Sequence, residues 1–282
     1  MIIDNEGNEC RTSQQKLKAL QTQFLNPPQP ENLTVVEKQH YDQISRLSLR
    51  QLLDNAEKAK DAAHCILDQP IKVVEVLRVV RDLKPGKAAG PDDLHNTLLK
   101  NLPNRCWAEI THIFNRCLCE GVHPRTWNTA NVTPVPKPGK KLDRPSHYRP
   151  IAVSSCLGRV LEKIMADRLQ TYCIARRIFT NNQCGFQPNR RTADVITILL
   201  NDARSCLDHN KPCVAVALDF SKAYDTIWHA GLLFKLSTIY GIGNTFLRWT
   251  ASFLRGKDPS QQHGHLLPVA PNTVRRTAGL EH

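Results

Sequence analysis

Six consecutive apolar residues, Cys213-Val214-Ala215-Val216-Ala217-Leu218, run without interruption into a carboxylate, Asp219. Two of the six are β-branched, and an unbroken apolar run of this length predicts a strand buried on both faces. A strand of that kind delivers Asp219 where the core meets solvent. Five residues later stands Tyr224, followed at once by a second carboxylate, Asp225. Strand-end carboxylates suit a hard divalent cation, which is held by one or two carboxylates together with substrate phosphates. Taken alone, the segment is equally compatible with a core strand that ends in a solvated turn.

Charge narrows the partner. The chain has 282 residues, 38 Lys plus Arg against 26 Asp plus Glu, and a formal net charge of +12. Such an excess favours a polyanion, because each neutralised phosphate releases condensed counterions. A hydrophobic fraction of 41% and a charged fraction of 23% exclude disorder as the overall state, and the length allows one large domain or two smaller ones. Ten cysteines show no C-x-x-C pair and no regular framework, so reduced thiols in an intracellular compartment are expected. The N-terminus lacks the pattern of a signal peptide, and no apolar run reaches the length of a membrane span. Cys106, His112, Cys117, Cys119 and His123 interleave with Trp107, Ile110, Ile113, Phe114 and Leu118 at helical spacing, which predicts buried structural cysteines rather than a zinc site.

Residues 1–70 read as a mainly helical lead-in, broken by Pro27, Pro28 and Pro30, with a helix over Leu47 to Lys60. Val73, Val76, Leu77 and Val80 share one face of a helix running toward Leu83. Two glycines and two prolines then make a stiff, basic turn, Lys84 to Asp92, ahead of a helix from Asp93 to Leu102. A helix from Arg105 to Glu120 stops at Gly121. The proline-rich, alternating stretch Asn131 to Lys141 predicts a sheet edge or hairpin arm. Between residues 131 and 150, Lys137, Lys140, Lys141, Arg144 and Arg149 face only Asp143, a composition that fits a phosphate clamp or a solvated loop. Ser154 or Ser155 caps a helix from Leu157 to Tyr172 with Val160, Leu161, Ile164 and Leu169 inward, and Thr192 caps another from Ala193 to Leu207. Helices are expected from Ile227 through Tyr240 and from Asn244 to Leu254.

Four of these segments carry a resemblance. Leu218-Asp219-Phe220-Ser221-Lys222-Ala223-Tyr224-Asp225 is similar to the first palm motif of reverse transcriptases of non-LTR (LINE-type, jockey-like) retrotransposons. Lys87-Ala88-Ala89-Gly90-Pro91-Asp92 resembles the opening of their polymerase domains. The stretch from Pro134-Val135-Pro136-Lys137-Pro138-Gly139-Lys140 to His147-Tyr148-Arg149-Pro150-Ile151 resembles their fingers hairpin, and Gln183-Cys184-Gly185-Phe186 a segment that packs near template and primer. The resemblance implies an α+β fold: right-hand polymerase fingers (71–212) and a partial palm (213–255), with a helical N-terminal extension (1–70) and a divergent or truncated tail (256–282). It implies RNA-directed DNA polymerase chemistry on an RNA template and DNA primer with deoxynucleoside triphosphates, and no membrane partner. It implies that Asp219 and the backbone carbonyl of Phe220 bind catalytic Mg²⁺, Asp219 being the catalytic residue, that Lys137 and Arg149 touch the triphosphate of the incoming nucleotide, and that Tyr224 lies under its sugar. Nucleus and cytoplasm are the expected locations.

The chain departs from the family's pattern in two places. Gln187 stands where the family has arginine, and beyond Gly256 no pair of adjacent aspartates follows. Two-metal nucleotidyl transfer clamps ions about 4 Å apart, and Asp219 alone does not supply that ligand set. The chain by itself is therefore expected to be inactive. A non-catalytic nucleic-acid-binding remnant is the alternative, and a group II intron maturase-like protein, which lacks the K-A-A-G-P-D entry, is a weaker one.

Overall fold

The computed structural model describes residues 2–4, 6–25, 33–58, 66–220, 223, 226–256 and 265–266. Helices dominate, with two small sheets, and the architecture is α+β. The lead-in contributes two short antiparallel strands, β1 (Ile2–Ile3) and β2 (Glu9–Cys10), then helices α1 (Ser13–Leu25), α2 (Val35–Ser45) and α3 (Leu49–Lys58). Thr34 and Glu37 close a reciprocal capping box at the start of α2.

The main core forms where four amphipathic helices meet. These are α4 (Val73–Asp82), α6 (Asn104–Glu120), α8 (Cys156–Ala175) and α11 (Asn244–Gly256). Val76, Val80, Trp107, Phe114, Leu118, Leu161, Ile164, Phe246 and Leu247 fill the space between them. Leu52 of α3 and Leu67 join the same core, so the lead-in packs onto it. Polar side chains fasten the seams. The Asn115 amide pairs with both backbone groups of Ile71, at 2.6 and 2.9 Å. Asp68 Oδ1 accepts from the Phe246 amide (2.9 Å) and the Thr245 hydroxyl (2.6 Å), capping α11 from a distant part of the chain.

Gly121 ends α6 in the left-handed region, φ 65, as the sequence predicts. A Cβ there would lie 2.4 Å from Arg248 Cβ, so this position needs glycine twice over. The helix expected from Asp93 shrinks to α5 (Asn96–Lys100). Asp93 is left-handed (φ 53) and Asp92 Oδ1 accepts from the Leu94 amide, which holds those residues in a turn. After the short α7 (Arg125–Asn128), β3 (Ala130–Pro136) and β4 (Tyr148–Ser154) form an antiparallel hairpin, and β5 (His265–Leu266) pairs with β3 in parallel. Ser155 caps α8.

Two expectations are corrected downstream. Helix α9 (Thr192–Asp208) is capped by Asp194, whose carboxylate accepts from the Arg191 amide at 2.6 Å, rather than by Thr192. The segment expected as one helix to Tyr240 is α10 (His229–Phe234) followed by a π-helical turn, Lys235–Ile239, that ends at left-handed Gly241. The expectation of buried cysteines on α6 holds for Cys117, whereas Cys106 is half-buried and Cys119 exposed, because positions 117 and 119 fall on opposite sides of the helix.

Candidate functional site

The hairpin positions the two cations singled out in the sequence. In the β3–β4 register Val135 lies opposite Arg149 and Thr133 opposite Ile151. Side chains alternate across a strand, so Lys137, two residues beyond Val135, shares the face that carries Arg149. On that face Val135 and Ile151 remain exposed beside the cations. The opposite face carries Val132 and Tyr148, both buried, and Tyr148 packs with Ile2, Cys10, Leu20 and Phe24 of the lead-in. One side of the hairpin is thus anchored and the other presented to solvent.

The loop between the strands is braced. Lys137 N donates to the His147 carbonyl at 2.8 Å, and Lys137 Nζ donates to the Ser146 carbonyl at 2.7 Å. His147 Nδ1 lies 3.0 Å from Asp143 Oδ1 and 2.6 Å from the Lys141 carbonyl oxygen. The Ile3 amide donates to the Asp143 carbonyl at 2.6 Å, which ties the N-terminus of the chain to the basic loop. Of the three Lys137 ammonium donors, the bond to Ser146 uses one.

The basic turn sits at the foot of the hairpin. A Cβ on Gly90 would come within 2.6 Å of the Ser154 carbonyl group and 2.7 Å of the Ser155 amide nitrogen. The turn therefore lies directly against the junction of β4 and α8. Cys156 Sγ donates to the Leu94 carbonyl, and Asn96 Nδ2 donates to the Lys84 carbonyl at 2.9 Å. Towards the far end of α8, Phe186 of the Gln183–Phe186 segment is left-handed (φ 59) and 81% exposed, its carbonyl accepting from Gln170 Nε2 at 2.6 Å.

The segment that carries Asp219 is different from its expectation. Residues 211–220 form no strand, and Val214, Val216 and Leu218 are 85%, 77% and 86% exposed. Among the described residues β3, β4 and β5 pair with one another and no strand pairs with 211–220. Strand character is a property of packing context more than of the backbone, so the apolar run stays unpaired. Helix α9, which leads into it, buries none of its 17 residues and exposes Val195, Ile196, Leu199 and Leu200. Asp219 and Phe220 are exposed, and among the described residues no hydrogen bond or ion pair links Asp219 to Lys137 or Arg149. Tyr224 and Asp225 lie outside the described residues. Among the described residues no three His, Cys, Asp or Glu side chains converge on a common point. Reverse transcriptases as a family use divalent metal.

Sequence reasoning missed one buried cation. Arg168 of α8 makes a two-pronged pair with Glu75 of α4, at 2.8 and 2.9 Å, and also donates to the carbonyls of Leu67, Gln69 and Pro70. Burial would raise the Glu75 carboxyl, but the Arg168 guanidinium, the Lys72 amide and the charges of Arg168 and Arg78 hold it below its ordinary value. Its signal was available: Arg168 falls four residues after Ile164 and four before Tyr172, on the buried stripe.

The family model for reverse transcriptase (RNA-dependent DNA polymerase) matches residues 135–269. The chain is 32% identical over 184 residues to the probable RNA-directed DNA polymerase from transposon BS of Drosophila melanogaster, covering 64% of this chain and 20% of that protein. It is 32% identical over 170 residues to the RNA-directed DNA polymerase from mobile element jockey of Drosophila funebris, covering 60% and 19%. It is 26% identical over 238 residues to the probable RNA-directed DNA polymerase from transposon X-element of Drosophila melanogaster, covering 83% and 25%. The chain spans about a fifth to a quarter of the length of these relatives.

Proposed function

We propose, from the premise that the chain carries a LINE-type reverse transcriptase domain, that it supplies the nucleotide-holding fingers of an RNA-directed DNA polymerase. The observation that carries this reading is the shared hairpin face of Lys137 and Arg149. A planar guanidinium bridges two phosphate oxygens, and an ammonium neutralises a third as a compact charge. The exposed side chains of Val135 and Ile151 beside them offer apolar surface to the rest of a nucleotide. In this proposal the ligands are deoxynucleoside triphosphates, an RNA template and a DNA primer, and Mg²⁺ is the divalent ion of the intact enzyme. Residues 71–212 would form the fingers and 213–255 the start of the palm.

The chain alone binds and orients substrate but does not transfer a nucleotide. Asp219 stands on an exposed, unpaired segment, so its carboxylate is not held against the phosphates that Lys137 and Arg149 would hold. Titration calorimetry with a deoxynucleoside triphosphate tests the holding role. Arg149→Ala is expected to weaken binding by about 1.5–3 kcal/mol, the worth of hydrogen bonds to a charged group. Binding unchanged by both Arg149→Ala and Lys137→Ala would overturn it.

A further inference from the structure

The loop between β3 and β4 is organised around one residue, His147. Pro145–His147 form a single 3₁₀ turn, closed by the Tyr148 amide donating to the Pro145 carbonyl. The His147 amide donates to the Arg144 carbonyl at 3.0 Å, and its own carbonyl accepts from the Lys137 amide at 2.8 Å. The carbonyl of the preceding residue, Ser146, accepts from Lys137 Nζ at 2.7 Å. Both the backbone and the ammonium group of Lys137 are therefore located by this turn. Arg149 follows it two residues later, on β4.

The His147 ring fixes the turn to the rest of the loop. Nδ1 lies 2.6 Å from the Lys141 carbonyl oxygen and 3.0 Å from Asp143 Oδ1, an oxygen that is itself buried. Both neighbours are acceptors, so a lone pair on Nδ1 would be repelled twice. The contacts put the hydrogen on Nδ1, and in a neutral ring that leaves Nε2 as the bare nitrogen. The segment the ring grips is anchored on its other side. The Ile3 amide donates to the Asp143 carbonyl at 2.6 Å, and the Tyr148 hydroxyl donates to the Leu142 carbonyl at 3.3 Å.

We propose that His147 is the positioning residue of the nucleotide-holding hairpin. Its Nδ1–H, donated to the Lys141 carbonyl beside the Asp143 carboxylate, holds the turn that sets Lys137 relative to Arg149. This rests on the reading that Lys137 and Arg149 hold the triphosphate. A long cationic side chain loses rotamer freedom when it binds an anion, and a turn that orders it beforehand lowers that cost. The ring acts through Lys137 and needs no contact with the nucleotide.

The test uses the full 282-residue chain. NMR of the chain labelled with nitrogen-15 in its histidines reads the tautomer, at a mildly alkaline pH where imidazole is neutral. His147 is identified as the signal that His147→Asn removes. A protonated Nδ1 and a bare Nε2 are expected, and a bare Nδ1 would overturn the proposal. Titration calorimetry with a deoxynucleoside triphosphate then compares variants. His147→Ala is expected to weaken binding about three- to tenfold, the worth of ordering one long side chain. His147→Asn keeps an N–H donor near the place of Nδ1 and is expected to retain most of the affinity. If Arg149→Ala loses affinity while His147→Ala does not, or if His147→Asn loses as much as His147→Ala, the positioning role is overturned. If neither Arg149→Ala nor Lys137→Ala loses affinity, the holding role beneath it is overturned instead.

Discussion

Lys137 and Arg149 share a face because of the pleat and the register, and Gly90 sets where that face stands. Its missing side chain lets the basic turn rest against the Ser154–Ser155 backbone. Gly90→Ala forces a methyl group into backbone atoms that have no rotamer with which to yield. We expect a loss of about 1–3 kcal/mol, the usual cost of overpacking, measured by urea unfolding, with nucleotide affinity falling alongside as the hairpin shifts. At Arg149 the chemistry is planar and two-pronged, so Arg149→Lys should recover only part of the affinity that Arg149→Ala removes. Calorimetry with a deoxynucleoside triphosphate separates the two. The residue types at these positions were readable because each follows from a local rule: a left-handed glycine at a helix end, a serine cap, a cation on a proline-bordered hairpin. Arg168 was not read as the centre of a buried network, since its partners lie 93 to 101 positions away in the chain.

At the scale of elements, the core helices were legible, whereas the strand expected over 213–218 does not form. Helices α4, α6, α8 and α11 show apolar residues at helical spacing, and that stripe finds a core. The run Cys213–Leu218 has an equally clear composition, yet a strand is completed by its neighbours, and here none adjoins it among the described residues. Helix α9 shares the same fate, amphipathic in sequence and buried nowhere. Mutations should report this contrast. Val216→Ala is expected to change stability by less than about 0.5 kcal/mol, as at an exposed site, whereas Leu161→Ala in the core should cost about 2–5 kcal/mol. Paired urea unfolding curves would check both, and a core-sized loss at Val216 would mean that the segment is packed in solution. The hairpin was predicted from its prolines and alternation, and its anchoring by the N-terminal strands was not, because that contact joins residues 3 and 143.

At the scale of the whole molecule, one ion pair ties the lead-in junction to the core, and charge sets the partner. Glu75 is held below its ordinary value of 4.5. A carboxyl lowered in the folded state adds stability that is complete above the unfolded value and is lost as pH falls through the folded one. Stability should therefore decline as pH drops below about 4.5, and Glu75→Gln should remove that part of the decline. The same variant should cost on the order of 3 kcal/mol at neutral pH, because it leaves Arg168 buried without its counter-charge. Urea unfolding at pH 7 and pH 4 reads both effects. The net charge of +12 predicts that binding to a primed RNA template weakens steeply with salt, by about a thousandfold between 50 and 200 mM if six phosphates are neutralised. The most direct measurement is incorporation of a labelled deoxynucleotide by this chain on a primed RNA template, in divalent metal and at low salt. Binding without incorporation is the predicted result, and incorporation that Asp219→Ala abolishes would contradict it.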